Sequence, residues 1–403
     1  MDILEIIEKK NQEEEINASE FELVFSSFEN GELPEIEFIN FLKLINDSKL
    51  SDKEIVALTN ALVANSHHES YLNCNVDEII IDALDTKISI ILDFLVASMG
   101  VSIFKEDVGI VNKLQKTLDI NLNLSKKDVL KQLDKINVVF VNPSVSSNKL
   151  SVKIKKLLHD NNIKISVPIA AALTMSNKLL YSSSKIMMEV KFGKYEYLKT
   201  IDDAKEYIRL TMKIGHLNAK DIICVLTEAS EPVGFAIGDS LEMVECINTL
   251  KGEGPKDLNE LIIHMASIIL SLEKGIPVEE SIEYAEEALR NKFGYEKFME
   301  FVKTQKGNVI NIKLGTKVKT IKAKQQGYIE SINTLRLKKM IENADNCGVL
   351  LNAKVGDLVM KNDDLLSIYF DNEKINEDEF LKCFELSEKE IIKPRLIKEI
   401  IKW

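Results

Sequence analysis

The middle of this 403-residue chain alternates short apolar, β-branched runs with longer helical segments, and that alternation restricts the fold more than any other feature. Val138 to Val141, Ile163 to Pro168, Ile186 to Val190 and Ile222 to Leu226 each read as a strand. Helical segments separate them. Strand, helix, strand in that rhythm predicts parallel strands joined by crossover helices, hence a mostly parallel central sheet.

The flanks have different textures. The first 65 residues read as stacked short helices. Ile3, Ile6 and Ile7 share one helical face. A polar start at Asn17 to Ser19 leads into Phe21, Val24, Phe25 and Phe28, and Asn30-Gly31 stops that helix, because glycine accepts the left-handed cap. Pro34 opens the next, with Phe38, Phe41, Leu42 and Ile45 as its apolar stripe. Ser51 and Glu54 have the spacing of a capping box. At the other end, Val309 to Ile312, Lys317 to Ile321, Tyr328 to Ile332 and Leu365 to Phe370 read as strands. Turns at Val355-Gly356-Asp357 and Lys361 to Asp364 separate them. The expected architecture is α/β with an N-terminal helical domain (1–65), an α/β domain (66–305, some of whose helices are candidates to join the helical domain) and a C-terminal α+β portion (306–403).

Composition excludes several function classes. A net charge of -12 disfavours nucleic acid, whose phosphates require clustered Lys and Arg. The basic run Lys149 to Lys156 reads as the solvated face of a helix around Leu150, Val152, Ile154, Leu157 and Leu158. Cys74, Cys224, Cys246, Cys347 and Cys383 form no pair at metal or redox spacing, which fits a reducing cytoplasm. The apolar run Ile88 to Val101 contains Asp93 and is too short for a membrane span. His67-His68 has no acidic or cysteine companion at metal spacing. Gly234 to Gly238 lacks the third glycine of a dinucleotide fingerprint, no Gly-Lys-Ser/Thr follows Gly252-Glu253-Gly254-Pro255, and Ser182 to Ser184 have no base beside them.

Three stretches carry a resemblance. The most specific is Glu231-Pro232-Val233-Gly234-Phe235-Ala236-Ile237-Gly238, continuing through Leu241-Glu242 to Leu250-Lys251-Gly252-Glu253-Gly254-Pro255-Lys256-Asp257-Leu258. The N-terminal Asp2 to Lys10 with Asn30-Gly31-Glu32-Leu33-Pro34, and the Lys354-Val355-Gly356-Asp357 turn, are weaker. Together, in this order and spacing, they resemble the pyrimidine-nucleoside (thymidine) phosphorylase family over nearly the whole chain. The resemblance implies a helical domain and a larger α/β domain with the active site in the cleft between them. It also implies a C-terminal β-containing portion and a homodimer formed through the N-terminal helices.

The chemistry that the resemblance implies is poorly represented. Phosphorolysis needs close backbone N–H groups, hence glycines, to hold phosphate. The family's glycine-rich loop of the type KHSTGGVGD corresponds here to Asp82-Ala83-Leu84-Asp85-Thr86-Lys87. No glycine remains, and Asp82 and Asp85 suit a helix cap better than an anion site. The second glycine-rich segment corresponds to Ser102 to Gly109, beyond which Asn112 and Lys113 read as helix-surface residues. Thr86, Lys87 and, on the stretch Met188 to Tyr195, Lys191 are the weak phosphate candidates; Phe192, Lys194 and Tyr195 add bulk where the family has small residues. The positions that grip the pyrimidine carry Leu158, Leu173 and Asn177, with His159 or Lys178 one residue away. Unmatched polar groups on the base would cost roughly 1–3 kcal/mol each. Of the family's monovalent-cation site, Val233, Ala236 and Glu245 remain as half a shell, so no bound metal or cofactor is expected.

The expected function is therefore a homologue that has lost phosphate and nucleoside binding and is retained for binding or regulation, with an active paralogue as a candidate partner. The alternatives are a glycosyltransferase with altered substrate, or residual phosphorolysis. Neither nucleic acid nor membrane is expected as a partner.

Overall fold

The computed structural model describes residues 3–66, 80–82 (backbone only), 85–142, 149–342, 344 and 346–403. His67, His68 and Cys74 lie outside these, as do residues 83 and 84 and the Asp82 side chain.

Four helices open the chain: α1 (Ile3–Asn11), α2 (Ala18–Glu29), α3 (Glu35–Asp47) and α4 (Asp52–Ala64). Local sequence sets their ends. Asn17 with Glu20, and Ser51 with Glu54, each form a reciprocal capping box. Gly31 takes φ +76° at the end of α2. Glu54 also receives the buried Lys10 ammonium at 2.6 Å and the Ile16 N–H at 3.0 Å, tying α1 to α4. Phe21, Phe25, Phe28, Phe38 and Phe41 are all buried, and the Phe28 and Phe38 rings stack at 3.8 Å. Their crowding suggests a surplus for the large domain or a second subunit. In the chain they pack on one another and in one core with later helices and one face of the central sheet.

The α/β region follows with β1 (Ile80–Asp82), α5 (Thr86–Ser98), β2 (Ile103–Lys105), α6 (Val108–Leu118), α7 (Lys126–Ile136), β3 (Val138–Phe140), α8 (Lys149–Asp160), α9 (Val167–Lys178), β4 (Lys185–Phe192), α10 (Ile201–Leu217), β5 (Asp221–Glu228), β6 (Ala236–Ile237), α11 (Asp239–Leu250), α12 (Lys256–Lys274), α13 (Val278–Arg290) and α14 (Phe293–Thr304). The central sheet runs β1-β4-β5, all parallel. Alternation along its strands feeds two cores. Ile186, Met188, Val190, Ile222, Cys224 and Leu226 join the helical domain. Met187, Ile223 and Val225 face the second core, which is built around α5, buried from Lys87 to Ala97.

Beyond lie β7 (Lys317–Lys322), β8 (Gly327–Ile332), α15 (Thr334–Ile341), β9 (Gly348–Leu351), β10 (Leu358–Val359), β11 (Asp364–Phe370), α16 (Glu377–Leu381), β12 (Phe384–Ser387) and β13 (Ile397–Lys402). They form two small antiparallel sheets, β10-β8-β12 and β6-β9-β11-β7, around a third core. The last strand, β13, leaves them and pairs antiparallel with β5 at the edge of the central sheet. The fold is thus α/β with an N-terminal helical region, a mostly parallel central sheet and a C-terminal α+β portion.

Two expected strands are corrected. Ile163 to Pro168 is a loop running into α9: the Asn46 amide donates to Lys164 O and its carbonyl accepts from Ser166 N, and Pro168 lies in the first helical turn. Val309 to Ile312 forms a 3₁₀ turn over Val309–Asn311, because the Asn308 side chain accepts from Ile310 N.

Candidate functional site

The ends of β1 and β4, the first turns of α5 and α11 and the loop 231–238 converge, and that is where the resemblance places the phosphate. Asp85 is the N-cap of α5 and accepts the Lys87 N–H at 2.9 Å. A protein carboxylate therefore occupies the helix terminus, where the partial positive charge favours an anion. Burial works against the Asp85 charge, but Lys338, Lys191, Lys87 and Lys113 hold its carboxyl well below the usual range.

Lys87, two residues on, is buried. Its ammonium donates to Val233 O at 2.7 Å, Ala236 O at 3.2 Å and Glu245 Oε2 at 2.5 Å. The other oxygen of Glu245 accepts from Phe235 N at 2.8 Å and Ala236 N at 3.1 Å. Burial opposes the charge of Lys87, but Glu245, Asp85 and Glu242 raise its pKa. The sequence singled out Lys87 for phosphate and Val233, Ala236 and Glu245 as half a cation shell. The fold places them against one another.

Gly234 makes this possible. It has φ +72°, and a Cβ there would lie 2.5 Å from Glu245 Oε2. On the far side of the loop, buried Lys354 donates to Pro232 O, to Gly234 O at 2.7 Å and to Asp257 Oδ2 at 3.1 Å. Val355 N meets Glu231 Oε2 at 2.6 Å.

Lys113 corrects the surface reading: it is buried and pairs with Glu242, whose Oε1 accepts from Gly238 N at 3.2 Å. Its signal was its place on the apolar face of α6 with Ile110, Leu114 and Thr117. Asn112 is exposed as expected. Lys191 lies 3.5 Å from Glu189, and Lys338, which sequence reasoning did not single out, lies 3.6 Å from Asp85. Lys87, Lys113, Lys191 and Lys338 thus each face one carboxylate, from Glu245, Glu242, Glu189 and Asp85 in turn. Burial pushes the thiol of Cys246 beside them far up, which disfavours the thiolate.

The remaining candidates are scattered. Leu158 and Leu173 are buried in the helical-domain core. The Asn177 amide donates back to Leu173 O at 3.2 Å. Lys178 is half-buried in the last turn of α9, and His159 is exposed beside Asp160. Thr86 is half-buried, its methyl group packed close to Gly109. Lys194 pairs with Glu385, and the Tyr195 hydroxyl lies 3.2 Å from Ser331 Oγ and donates to Glu385 Oε1 at 3.1 Å.

Three comparisons bear on this geometry. The chain is 27% identical to a pyrimidine-nucleoside phosphorylase of Staphylococcus epidermidis over 406 aligned positions, 94% of each chain. It is 27% identical to the enzyme of that name from Bacillus subtilis, again over 94% of each. With the Staphylococcus haemolyticus protein of the same name, the match covers all of both chains at 27% identity. Among solved structures, anthranilate phosphoribosyltransferase from Thermus thermophilus superposes with a TM-score of 0.57 at 12% identity. That match covers 76% of this chain and all of the other, and it speaks to the fold alone. A family model described as "Predicted membrane protein (DUF2254)" matches residues 263–393. Among the described residues, no helix is long and apolar enough to cross a membrane.

Proposed function

The chain is a relative of the pyrimidine-nucleoside phosphorylases over their full length, and on that premise we propose that it keeps their framework without their phosphorolysis, serving as a binding or regulatory protein. One observation carries the reading: at the strand ends, every lysine that sequence or structure offers to an anion already faces a carboxylate of the chain. An incoming phosphate would have to displace the buried pairs of Lys87, Lys113 and Lys191, leaving charges uncompensated at about several kcal/mol each, whereas the exposed Lys338 is given up at little cost. It would also compete with Asp85 for the N-terminus of α5. The base positions give a second line of support, since Leu158 and Leu173 lie in a core and present no hydrogen-bonding group to a pyrimidine.

The protein works, in this reading, in the cytoplasm as a homodimer through its N-terminal helices, or in the same mode with an active paralogue. Leu4 on α1 and Ile36 on α3 are exposed apolar residues suited to that contact.

The test is chemical. Purified protein with phosphate and thymidine or uridine should release no free base, and calorimetry should detect no phosphate binding at millimolar concentration. Turnover at ordinary enzymatic rates, on the order of 1–10³ s⁻¹, sinks the proposal. A screen of nucleosides, bases and sugar phosphates addresses an altered glycosyl substrate, because saturation at about 100 Kd adds roughly 2.7 kcal/mol of stability.

A further inference from the structure

The resemblance implies a monovalent cation held by two carbonyls of the segment 231–238 and a glutamate of α11, together with oxygens of a glycine-rich loop. The first three donors are present here. The space among them, however, holds the ammonium of Lys87, at 2.7 Å from Val233 O, 3.2 Å from Ala236 O and 2.5 Å from Glu245 Oε2. We infer that Lys87 is a tethered replacement for a free monovalent cation, and that this fold holds its central loop without potassium.

The donor count supports the assignment. An ammonium has three N–H donors, and three oxygens converge on this one. Its single charge answers the single charge of Glu245, whose second oxygen is spent on two backbone N–H groups. No donor position is left over for a metal. A cation brought to the same oxygens would sit in contact with the ammonium and be repelled by it.

The tether changes what the site responds to. A free ion stabilises a protein in proportion to the logarithm of its concentration above Kd. An ion carried on α5 is present at every salt composition. It also joins the start of α5 to a loop 146 residues later in the sequence. Gly234 is part of the same device, because a Cβ there would press on the Glu245 oxygen that faces the ammonium. The inference concerns the stability of the fold, so it holds or fails independently of any turnover.

Thermal melting at constant ionic strength tests it, in potassium, sodium or choline chloride. The wild-type protein should melt within about 1 °C in all three, a shift too small to represent a bound ion. Lys87→Ala removes the ammonium and leaves an oxygen-lined space. It should melt lower in choline, by on the order of 5 °C or more, and recover in a dose-dependent way with potassium or with methylammonium, the detached head group. Lys87→Gln fills the space with a neutral amide, so it should melt lower without recovery by either ion. Stabilisation of the wild-type protein by potassium over choline overturns the inference, and this arm needs no variant to fold. Recovery of Lys87→Ala no better in potassium than in choline overturns it too, as does a Lys87→Gln variant that melts like the wild type or gains potassium dependence.

Discussion

The first turn of α5 and the loop 231–238 lie against each other, and the resemblance treats them oppositely. The loop retains the family's residues. The turn has Asp85 and Lys87 where the resemblance expects glycines. Yet the two regions fit: two carbonyls of the loop, and the Glu245 carboxylate of α11 that backs it, are satisfied by the lysine of the turn. The loop also has a second ammonium on its other side, from Lys354 in the C-terminal portion. The comparison teaches that an altered segment need not be a decayed one. A buried carbonyl or carboxylate costs free energy when it loses its partner, so a framework that is kept demands that a lost cation be replaced.

The largest expected effect tests the side of the loop that owes nothing to α5. Lys354→Met keeps most of the side-chain volume but takes the ammonium from two carbonyls and leaves the Asp257 charge with backbone N–H groups alone. Breaking one partner of a buried pair costs about 3–5 kcal/mol, read as a lower urea midpoint at unchanged slope. A variant as stable as the wild type would mean that Lys87 alone holds the loop.

The next effect compares two aspartates of one helix. Asp85, among four lysines, is held low, whereas burial pushes Asp93 up to about 6 despite Lys105 at 3.2 Å and Ser89. The unfolded value of Asp93 is near 3.8, so between pH 4 and 6 the folded chain binds the proton more tightly than the unfolded chain. The contribution of Asp93 is complete below pH 4 and is lost as the pH rises through 6. The span is roughly 3 kcal/mol for a shift of about two units. Asp93→Asn should therefore gain stability relative to the wild type between pH 4 and 7. A difference that stays flat over that range would show that Lys105 fully compensates the buried charge. Smaller again is Gly234→Ala, where a positive φ and the contact with Glu245 should cost roughly 1–3 kcal/mol by thermal melting. A neutral Gly234→Ala would show that Glu245 can yield without losing Lys87.

Much of the fold was legible because much of it is local. The caps at Asn17 and Ser51 and the stripes of α2 and α3 depend on residues a few positions apart, and the structure has them as read. The runs at 186–190 and 222–226 were legible because strands covered on both faces are largely apolar, Glu189 being the one charged residue among these ten. Ile163 to Pro168 offers β-branched residues at alternate positions, but Asn46, over a hundred residues away, holds it as a loop. The strand β13 has no such apolar run and exists through its pairing with β5. At the site, Lys87 and Glu245 were each picked out, but no pattern in the chain announces that they meet across 158 residues. The burial of Lys113 and Lys354 was missed for one physical reason: a lysine is usually solvated, and only its tertiary partners reveal that it is not.

The smallest effect concerns Tyr195, where the sequence predicted bulk in a cleft. Its hydroxyl lies 3.2 Å from Ser331 Oγ and 3.1 Å from Glu385 Oε1, so it ties the end of β4 to β8 and β12 in the C-terminal portion. Gly193 lets the chain come this close to its neighbour, since a Cβ there would lie 2.6 Å from Ala229 O. Tyr195→Phe removes the hydroxyl and keeps the ring. Ser331 Oγ still donates to Glu385 Oε2 at 2.7 Å, and the Oε1 that loses its donor belongs to a side chain exposed enough to take water instead. The expected cost is therefore that of one partly buried hydrogen bond, about 1 kcal/mol in urea unfolding. It should appear together with faster amide exchange in residues 192–198 and 384–387. The loop 231–238, held by lysines on both sides, should exchange as before. Equal loosening of both regions would mean that the clamp on that loop depends on the β4 contact, and the two would then have to be treated as one unit.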